Sequence, residues 1–304
     1  LFHRSRSIIL MMAPLNLDGK ITVLTVNYHS EDVILNCLSP FYKRIDIVVV
    51  DNASTRESLQ FLENNYPGIT IVRNERNVGY GAGFNSGLTH VRSPYILALS
   101  PDAEFSMEKL EQLIQYAETY ENSAIVSPTL DVPNQSIETW VMGPNELIHS
   151  KASFDASGPF CTWFSSGAVS IYRTDLLQTI GGFDERIFLY NEDLDLCIRL
   201  RRAGYSIVIV PTIVATHLNS RSATRSTRLH WRKDWNFAWG HLYVIDKYRG
   251  KSAMFRAFVK LISKCAPKSL FYALTLNRKR FVRDFSATLG SISYLMGAKP
   301  KRSD

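Results

Sequence analysis

Residues 45–51 read IDIVVVD, an almost unbroken β-branched run. A strand with one wet face alternates apolar and polar residues, so this run is expected to be buried on both faces, as in a parallel sheet covered by helices. Similar runs stand at 21–27 (ITVLTVN) and 93–99 (SPYILAL), with a shorter one at 69–73. Helical segments are expected between and after them, at 31–38, from the Asn52-Ala53-Ser54 stop to about residue 64, and at 107–120. This alternation predicts an α/β layer architecture. In such sheets ligands bind beyond the carboxyl ends of the strands, where Asn27 and Asp51 lie. An Asp there can accept hydrogen bonds from a base or ribose, although Asp-Asn-Ala-Ser is also good turn chemistry.

Residues 74–87, NERNVGYGAGFNSG, carry four glycines ahead of a helix expected from 81 to about 91. Glycines permit close backbone approach, and the helix start offers free N–H groups to an anion. The loop follows the third strand rather than the first and is framed by Asn74, Asn77 and Asn85, so it does not match the dinucleotide-binding fingerprint. A glycine-rich packing turn is the alternative. After the 93–99 strand, Ser100-Pro101-Asp102 places a carboxylate that can hold a hard divalent cation or simply open the next helix. Residues 130–160 are rich in turn formers and are expected to be loops or a short β excursion. Residues 161–172 are expected to form a strand broken at Ser165-Ser166-Gly167; Trp163 within it is either core or the wall of a sugar site.

Residues 182–205, GFDERIFLYNEDLDLCIRLRRAGY, hold the densest chemistry. Glu192, Asp193 and Asp195 open a helix whose apolar positions Leu194, Cys197, Ile198 and Leu200 can face a core. As caps they would answer the helix dipole, with Asn191 as N-cap. However, Phe183, Phe188, Leu189 and Tyr190 crowd apolar bulk onto the approach, and burial makes a carboxylate a better base. A last strand is expected at 205–210, closed by Pro211, with His217 in an irregular stretch, either structural or a metal or phosphate contact.

Charge divides the chain. Residues 1–220 hold 16 Lys+Arg against 24 Asp+Glu, and residues 221–304 hold 19 against 4. An acidic body thus carries a basic C-terminal piece, in which Trp231, Trp235, Phe237, Trp239 and Tyr243 lead into segments 255–265, 270–276 and 281–296, all expected to be helical. Such helices can lie on an anionic membrane surface or pack on the body with their charges solvated. Nucleic-acid binding through the basic piece is not expected, given the acidic body and the lack of a reading motif. The four cysteines show no metal or disulfide spacing, which fits a reducing, cytoplasmic setting. No apolar run has the roughly 18–20 residues a bilayer span needs. Residues 1–19 are expected to be an extension, 20–225 the main domain and 226–304 a helical region.

Taken in order, VVVDNAS (48–54), NVGYGAGFNSG (77–87), LSPDAEF (99–105), WFSSGAVSIYR (163–173), GGFDERIFLYNEDLDLCIRLRRAGY (181–205) and a later His217 resemble the family 2 glycosyltransferases, in particular their bacterial rhamnosyltransferase-like branch. The likeness covers about residues 20–220. It implies a GT-A fold, Rossmann-like with a mostly parallel sheet flanked by helices, followed here by the basic helical appendage. It implies an inverting transfer from a nucleotide-sugar donor, dTDP-L-rhamnose by branch, with UDP-linked hexoses open. Asp193 would be the catalytic base, paired with Glu192. Asp51 would bind the base or ribose, with Asn27 and Ser100 also on the donor side. Asn77, Gly79 and Asn85 would line the nucleotide and diphosphate pocket. Trp163 and Asp195 would face the acceptor. Asp102 would bind Mg²⁺ or Mn²⁺; the family's usual Asp-x-Asp is Ser100-Pro101-Asp102 here, so help from water and His217 is expected. The acceptor would be a glycan or a polyprenyl-diphosphate-linked glycan at the inner membrane face, with a homo-oligomer left open. The alternative is a nucleotide-sugar-binding protein without transfer activity, against which the intact Glu192-Asp193 pair counts.

Overall fold

The computed structural model describes residues 16–131, 158–218 and 227–300. Its first half alternates as the apolar runs require: β1 (Ile21–Asn27), α1 (Glu31–Leu38), β2 (Asp46–Asp51), α2 (Arg56–Asn65), β3 (Thr70–Arg73), α3 (Tyr80–Leu88), β4 (Tyr95–Leu99), β5 (Ala103–Glu104) and α4 (Met107–Thr119). Then come β6 (Ser123–Asp131), β7 (Phe160–Cys161), β8 (Val169–Arg173), α5 (Thr174–Thr179), α6 (Glu192–Arg202), β9 (Ser206–His217), α7 (Thr227–Leu274) and α8 (Arg278–Leu295). One sheet runs in the order β3-β2-β1-β4-β8-β6-β9-β5, with β7 on β9. Strands β3, β2, β1 and β4 are parallel, β8 is antiparallel to both its neighbours, and β6 pairs parallel with β9.

Alternate side chains of the central strands feed two cores. Val23, Val49 and Leu97 pack with Ile34 of α1 and with Leu110 and Ile114 of α4. Their neighbours Leu24, Val48, Val50, Ile96 and Ala98 pack on the opposite face with Phe84 of α3 and Leu196, Cys197 and Leu200 of α6. Both faces are therefore covered, and the parallel strands end together at the rim where α3 and α6 begin.

Several expectations need correction. Thr55, not Ser54, caps α2, its hydroxyl accepting from the Ser58 amide. β6 and α5 were not anticipated. The strand expected at 161–172 is two separate pieces, β7 and β8. β9 does not stop at Pro211: it runs on to His217, so that histidine lies in a strand. The pairing shifts between Pro128/Val210 and Thr129/Val214, which puts the proline in a bulge where no ladder N–H is needed. The separate C-terminal helices are two: α7, interrupted at Gly250 (φ +77°), and α8. The expected extension up to residue 15, the loop region 132–157 and the segment 219–226 lie outside the described residues.

Candidate functional site

At the carboxyl end of β2, Asp51 is fully buried. Its Oδ1 accepts from Asn27 Nδ2 (3.3 Å) and the Ser54 amide (3.4 Å), and Arg73 Nε stands 4.0 Å from Oδ2. Asp51 Oδ2 and Asn27 Oδ1 are buried with no hydrogen-bond partner. Buried acceptors are nearly always satisfied, so these two oxygens stand out as acceptors with capacity for a further donor. The next residue, Asn52, organises the loop ahead of α3. Its Nδ2 donates to Gly79 O (2.9 Å) and Asn77 Oδ1 (3.3 Å), and its Oδ1 accepts from Asn74 Nδ2 (2.9 Å). Asn77 Oδ1 also accepts from the Gly79 amide (2.9 Å). In the sequence Asn52 reads only as part of a turn; the three asparagines that frame the glycines are the signal that points to it. Gly79 is required: at φ +94°, a Cβ would lie 2.1 Å from Phe188 O.

That contact joins the loop to the approach of α6, and the Tyr80 amide donates to the same Phe188 carbonyl (3.1 Å). The Tyr80 hydroxyl then donates to Gly167 O (3.1 Å), while the Gly167 amide donates to Asp193 Oδ2 (3.1 Å). The adjacent Ala168 carbonyl accepts from the Ser100 amide (2.7 Å), which brings the end of β4 to the same place. Within that turn, Ser100 Oγ donates to Asp102 Oδ1 (2.6 Å), and His217 Nε2 lies 3.2 Å from the same oxygen. The Ala103–His217 pairing of β5 with β9 enforces this approach. Asp51, Asn77, Gly79, Ser100, Asp102, Glu192, Asp193 and His217 are thus tied into one rim by direct contacts between β1, β2, β4, α3, α6 and β9.

Asp193 Oδ1 and Glu192 Oε2 have no hydrogen-bond partner. Burial, and next the neighbouring Asp193 charge, push the Glu192 carboxyl well above its ordinary range. Burial likewise pushes Asp193 up to about 6, opposed by the Gly167 amide. Two adjacent buried carboxylates do not ionise together cheaply. A main-chain N–H opposes the rise at each carboxyl, its own at Glu192 and that of Gly167 at Asp193, and of the two Asp193 is raised less, which makes it the member of the pair that ionises more readily.

Other expected site residues lie elsewhere. Asp195, expected on the acceptor side, is 0% exposed and is held by Arg199 Nε (2.8 Å), Lys247 Nζ (2.5 Å) and the Tyr248 hydroxyl (2.8 Å), which ties α6 to α7. Lys247 also reaches Asp184 Oδ2 (2.8 Å), which receives the Tyr243 hydroxyl (2.7 Å) too. Burial raises the Asp184 carboxyl, but Arg186, Lys247 and Tyr243 outweigh it and hold the group far below the usual carboxylate range. Asn85 exchanges hydrogen bonds with the Phe183 backbone and packs against Gly182, fastening α3 to the α6 approach. Trp163 is half-buried beside the Leu194–Ile198–Val244 cluster, with the Arg201 guanidinium 3.4 Å from its ring centre. Asn191 occupies the N-cap position but makes no capping bond with its side chain; its φ of +70° turns it away, and Nδ2 donates to Phe237 O (3.3 Å).

A divalent cation would find Asp102 and His217 side by side, one carboxylate and one imidazole. Among the described residues no three such groups cluster. The pair suits an ion whose remaining positions are filled by diphosphate oxygens and water.

Residues 22–181 match the family described as Glycosyl transferase family 2. The chain is 22% identical over 263 residues to the N-acetylglucosaminyl-diphospho-decaprenol L-rhamnosyltransferase of Mycobacterium tuberculosis, covering 75% of this chain and 85% of that one. It is 26% identical over 226 residues to the rhamnosyltransferase WbbL of Escherichia coli, covering 64% and 82%. Among solved structures, the mannosyltransferase PcManGT from Pyrobaculum calidifontis, in complex with GDP-Man and Mn²⁺, superposes with a TM-score of 0.59 at 15% identity over 94% of this chain and 90% of that one. The fold is that of the GT-A glycosyltransferases.

Proposed function

The chain belongs to glycosyl transferase family 2, and from that premise we propose that it is an inverting transferase that moves L-rhamnose from dTDP-L-rhamnose to a hydroxyl of a prenyl-diphosphate-linked glycan. The observation that carries the reading is the Glu192-Asp193 pair: one ionised carboxylate, oriented by the Gly167 amide, with its second oxygen unpartnered at the rim that also holds Asp51 and Asp102. The rhamnosyl choice follows the two relatives named above, whose names also supply the acceptor class for one of them.

In this reading Asp51 and Asn27 accept hydrogen bonds from the nucleoside, and the Asn77–Gly79 loop and the start of α3 receive the diphosphate. Asp102 and His217 would hold Mg²⁺ or Mn²⁺, which when bound would supply positive charge against the leaving nucleoside diphosphate. Asp193 Oδ1 takes the proton of the acceptor hydroxyl. That oxygen forms a bond to the anomeric carbon as the bond to the diphosphate breaks, inverting the centre in one displacement.

The second half of α7 carries Phe255, Leu270, Phe271 and Leu274 exposed among Lys251, Arg256, Lys260, Lys264 and Lys268. No helix among the described residues is long and apolar enough to cross a membrane. This strip favours peripheral docking on anionic lipid at the cytoplasmic face, where a lipid-linked acceptor is presented.

Calorimetric titration with dTDP, UDP and GDP, with and without Mn²⁺ or Mg²⁺, tests the donor assignment. Metal-enhanced preference for dTDP is expected; preference for UDP would keep the transferase and discard rhamnose in favour of a UDP-hexose.

A further inference from the structure

Immediately before the catalytic pair, Tyr190 and Asn191 both adopt left-handed backbone (φ +65° and +70°). Side chains other than glycine rarely do so, and consecutive cases persist where the surroundings dictate them, characteristically at functional sites. Here the first turns of α7 do so. Asn191 Nδ2 donates to Phe237 O, and a Cβ on Gly240 would lie 3.0 Å from Tyr190 O and 3.1 Å from Asn191 Nδ2. The helix lies directly against the turn that delivers Glu192 and Asp193.

On this part of α7, Trp235, Ala238 and Trp239 are buried, yet Phe237 between them is 49% exposed. Its ring meets Tyr190 edge-on (centroids 6.1 Å apart, 67°) and lies parallel to His241 (1°). The Lys233 ammonium is 6.0 Å from the Tyr190 ring centre. Burial, followed by the charges of Glu192, Asp234 and Asp102, raises the Tyr190 hydroxyl, which stands in the field of the carboxylates of the rim. An aromatic platform with the Lys233 ammonium and the His241 imidazole beside it thus adjoins the turn that delivers the catalytic pair.

We propose that Tyr190, Phe237, His241 and Lys233 form the acceptor subsite: Phe237 and Tyr190 take the apolar face of the accepting pyranose, and Lys233 and His241 take the diphosphate of its prenyl carrier. This rests on the transferase reading above and names residues on the helix after the family-matched segment. Aromatic rings pack on the C–H face of a sugar, and cations hold phosphate by charge-assisted hydrogen bonds. The place is set by Tyr190, which sits three residues before the base and meets the Phe237 ring edge-on.

The test uses the full chain and a short-chain prenyl-diphosphate N-acetylglucosamine as probe, with methyl N-acetylglucosaminide as the version lacking diphosphate. In saturation-transfer NMR the wild type should show contacts to the sugar ring protons of the diphosphate probe and weaker ones to the methyl glycoside. Phe237→Ala should raise the acceptor KM about tenfold with a much smaller change in kcat, and Phe237→Trp should restore it. Lys233→Met should weaken the diphosphate probe and not the glycoside. A wild-type protein that does not bind the diphosphate probe, or a wild-type KM in both Phe237→Ala and Lys233→Met, would overturn the subsite. Nucleotide titration of the same preparations separates the two levels: loss of all nucleotide binding in the wild type sinks the transferase reading, whereas normal dTDP affinity with an unchanged acceptor KM sinks only the subsite.

Discussion

Lys247 Nζ lies 2.5 Å from Asp195 Oδ1, an ion pair with side-chain exposures of 23% and 0% that bolts α7 to the first turn of α6. The helix that carries Asp193, which like α7 lies beyond the family-matched residues 22–181, is therefore held by the C-terminal helix. Stranding a buried charge typically costs about 3–5 kcal/mol, but Asp195 keeps Arg199 and Tyr248 when Lys247 is lost, so the penalty is smaller here. Lys247→Met should destabilise the protein by about 1–3 kcal/mol in denaturant titration, the cost of an unmade charged hydrogen bond, and lower kcat more than it raises the donor KM. Wild-type stability and kcat would show that α7 rides on the body without supporting the site.

Asp193→Asn should lower transfer by about 10²–10⁴-fold, the usual share of a positioned base, while dTDP affinity stays within a factor of about three, the ordinary spread of a single contact's context dependence. Steady-state assay and calorimetry on one preparation check both. Transfer at the wild-type rate removes Asp193 as base.

The same carboxylate sets a pH dependence. Burial disfavours its anion and lifts it to about 6, so kcat/KM should rise through pH 6 and then level. Tyr80, Tyr172 and Cys197, whose values the Asp193 charge raises further, lose no proton in that range, since burial raises all three, and burial and Asp193 also raise Glu192 well above its ordinary range. For stability the sign is opposite: a group whose folded value is raised contributes fully below its unfolded value and loses that contribution as pH rises through the folded one. Asp193→Asn should accordingly gain stability over wild type above pH 6 and match it at pH 4. An acid limb near pH 4 would contradict the burial.

Gly167 has no room for a methyl group. A Cβ there would lie 2.8 Å from Asp193 Oδ1 and 3.2 Å from the Tyr80 hydroxyl. Gly167→Ala should displace the base and reduce kcat by about 10²-fold, the penalty of a roughly 1 Å misplacement, with the circular dichroism and nucleotide affinity of wild type. An unchanged kcat would mean that the amide does not orient Asp193.

Asp51→Ala removes the buried oxygen that lacks a donor. The nucleotide dissociation constant should rise about 10-fold, equivalent to roughly 1.4 kcal/mol of a charge-assisted hydrogen bond. An unchanged constant would take Asp51 out of the donor pocket.

Much of this site was legible where residue type and spacing carry one physical meaning. The 45–51 run could only be a strand covered on both faces, and the ends of β1 and β2 then had to carry Asn27 and Asp51. What misled was local chemistry overridden by distant packing. Pro211 reads as a strand end, but β6 and β9 absorb it in a bulge, and only that bulge delivers His217 to Asp102. Asp195 reads as one of three clustered carboxylates; its partner Lys247 is 52 residues away, and the sole local clue was Arg199 one helical turn on. Asn191 reads as a cap, and became a left-handed hinge because Gly240 and the Phe237 carbonyl occupy the space it faces.

Gly240 also sets the terms on which such a chain can be recombined. Its missing side chain is matched to the carbonyl of Tyr190 and the amide of Asn191, as the Lys247 ammonium is matched to Asp184 and Asp195. A chimera that joins this body to the C-terminal helices of a relative inherits a fault at two points unless both matches travel with the graft. The unit of exchange is consequently the α6 approach together with α7, and a crossover placed between them separates parts that were shaped against each other.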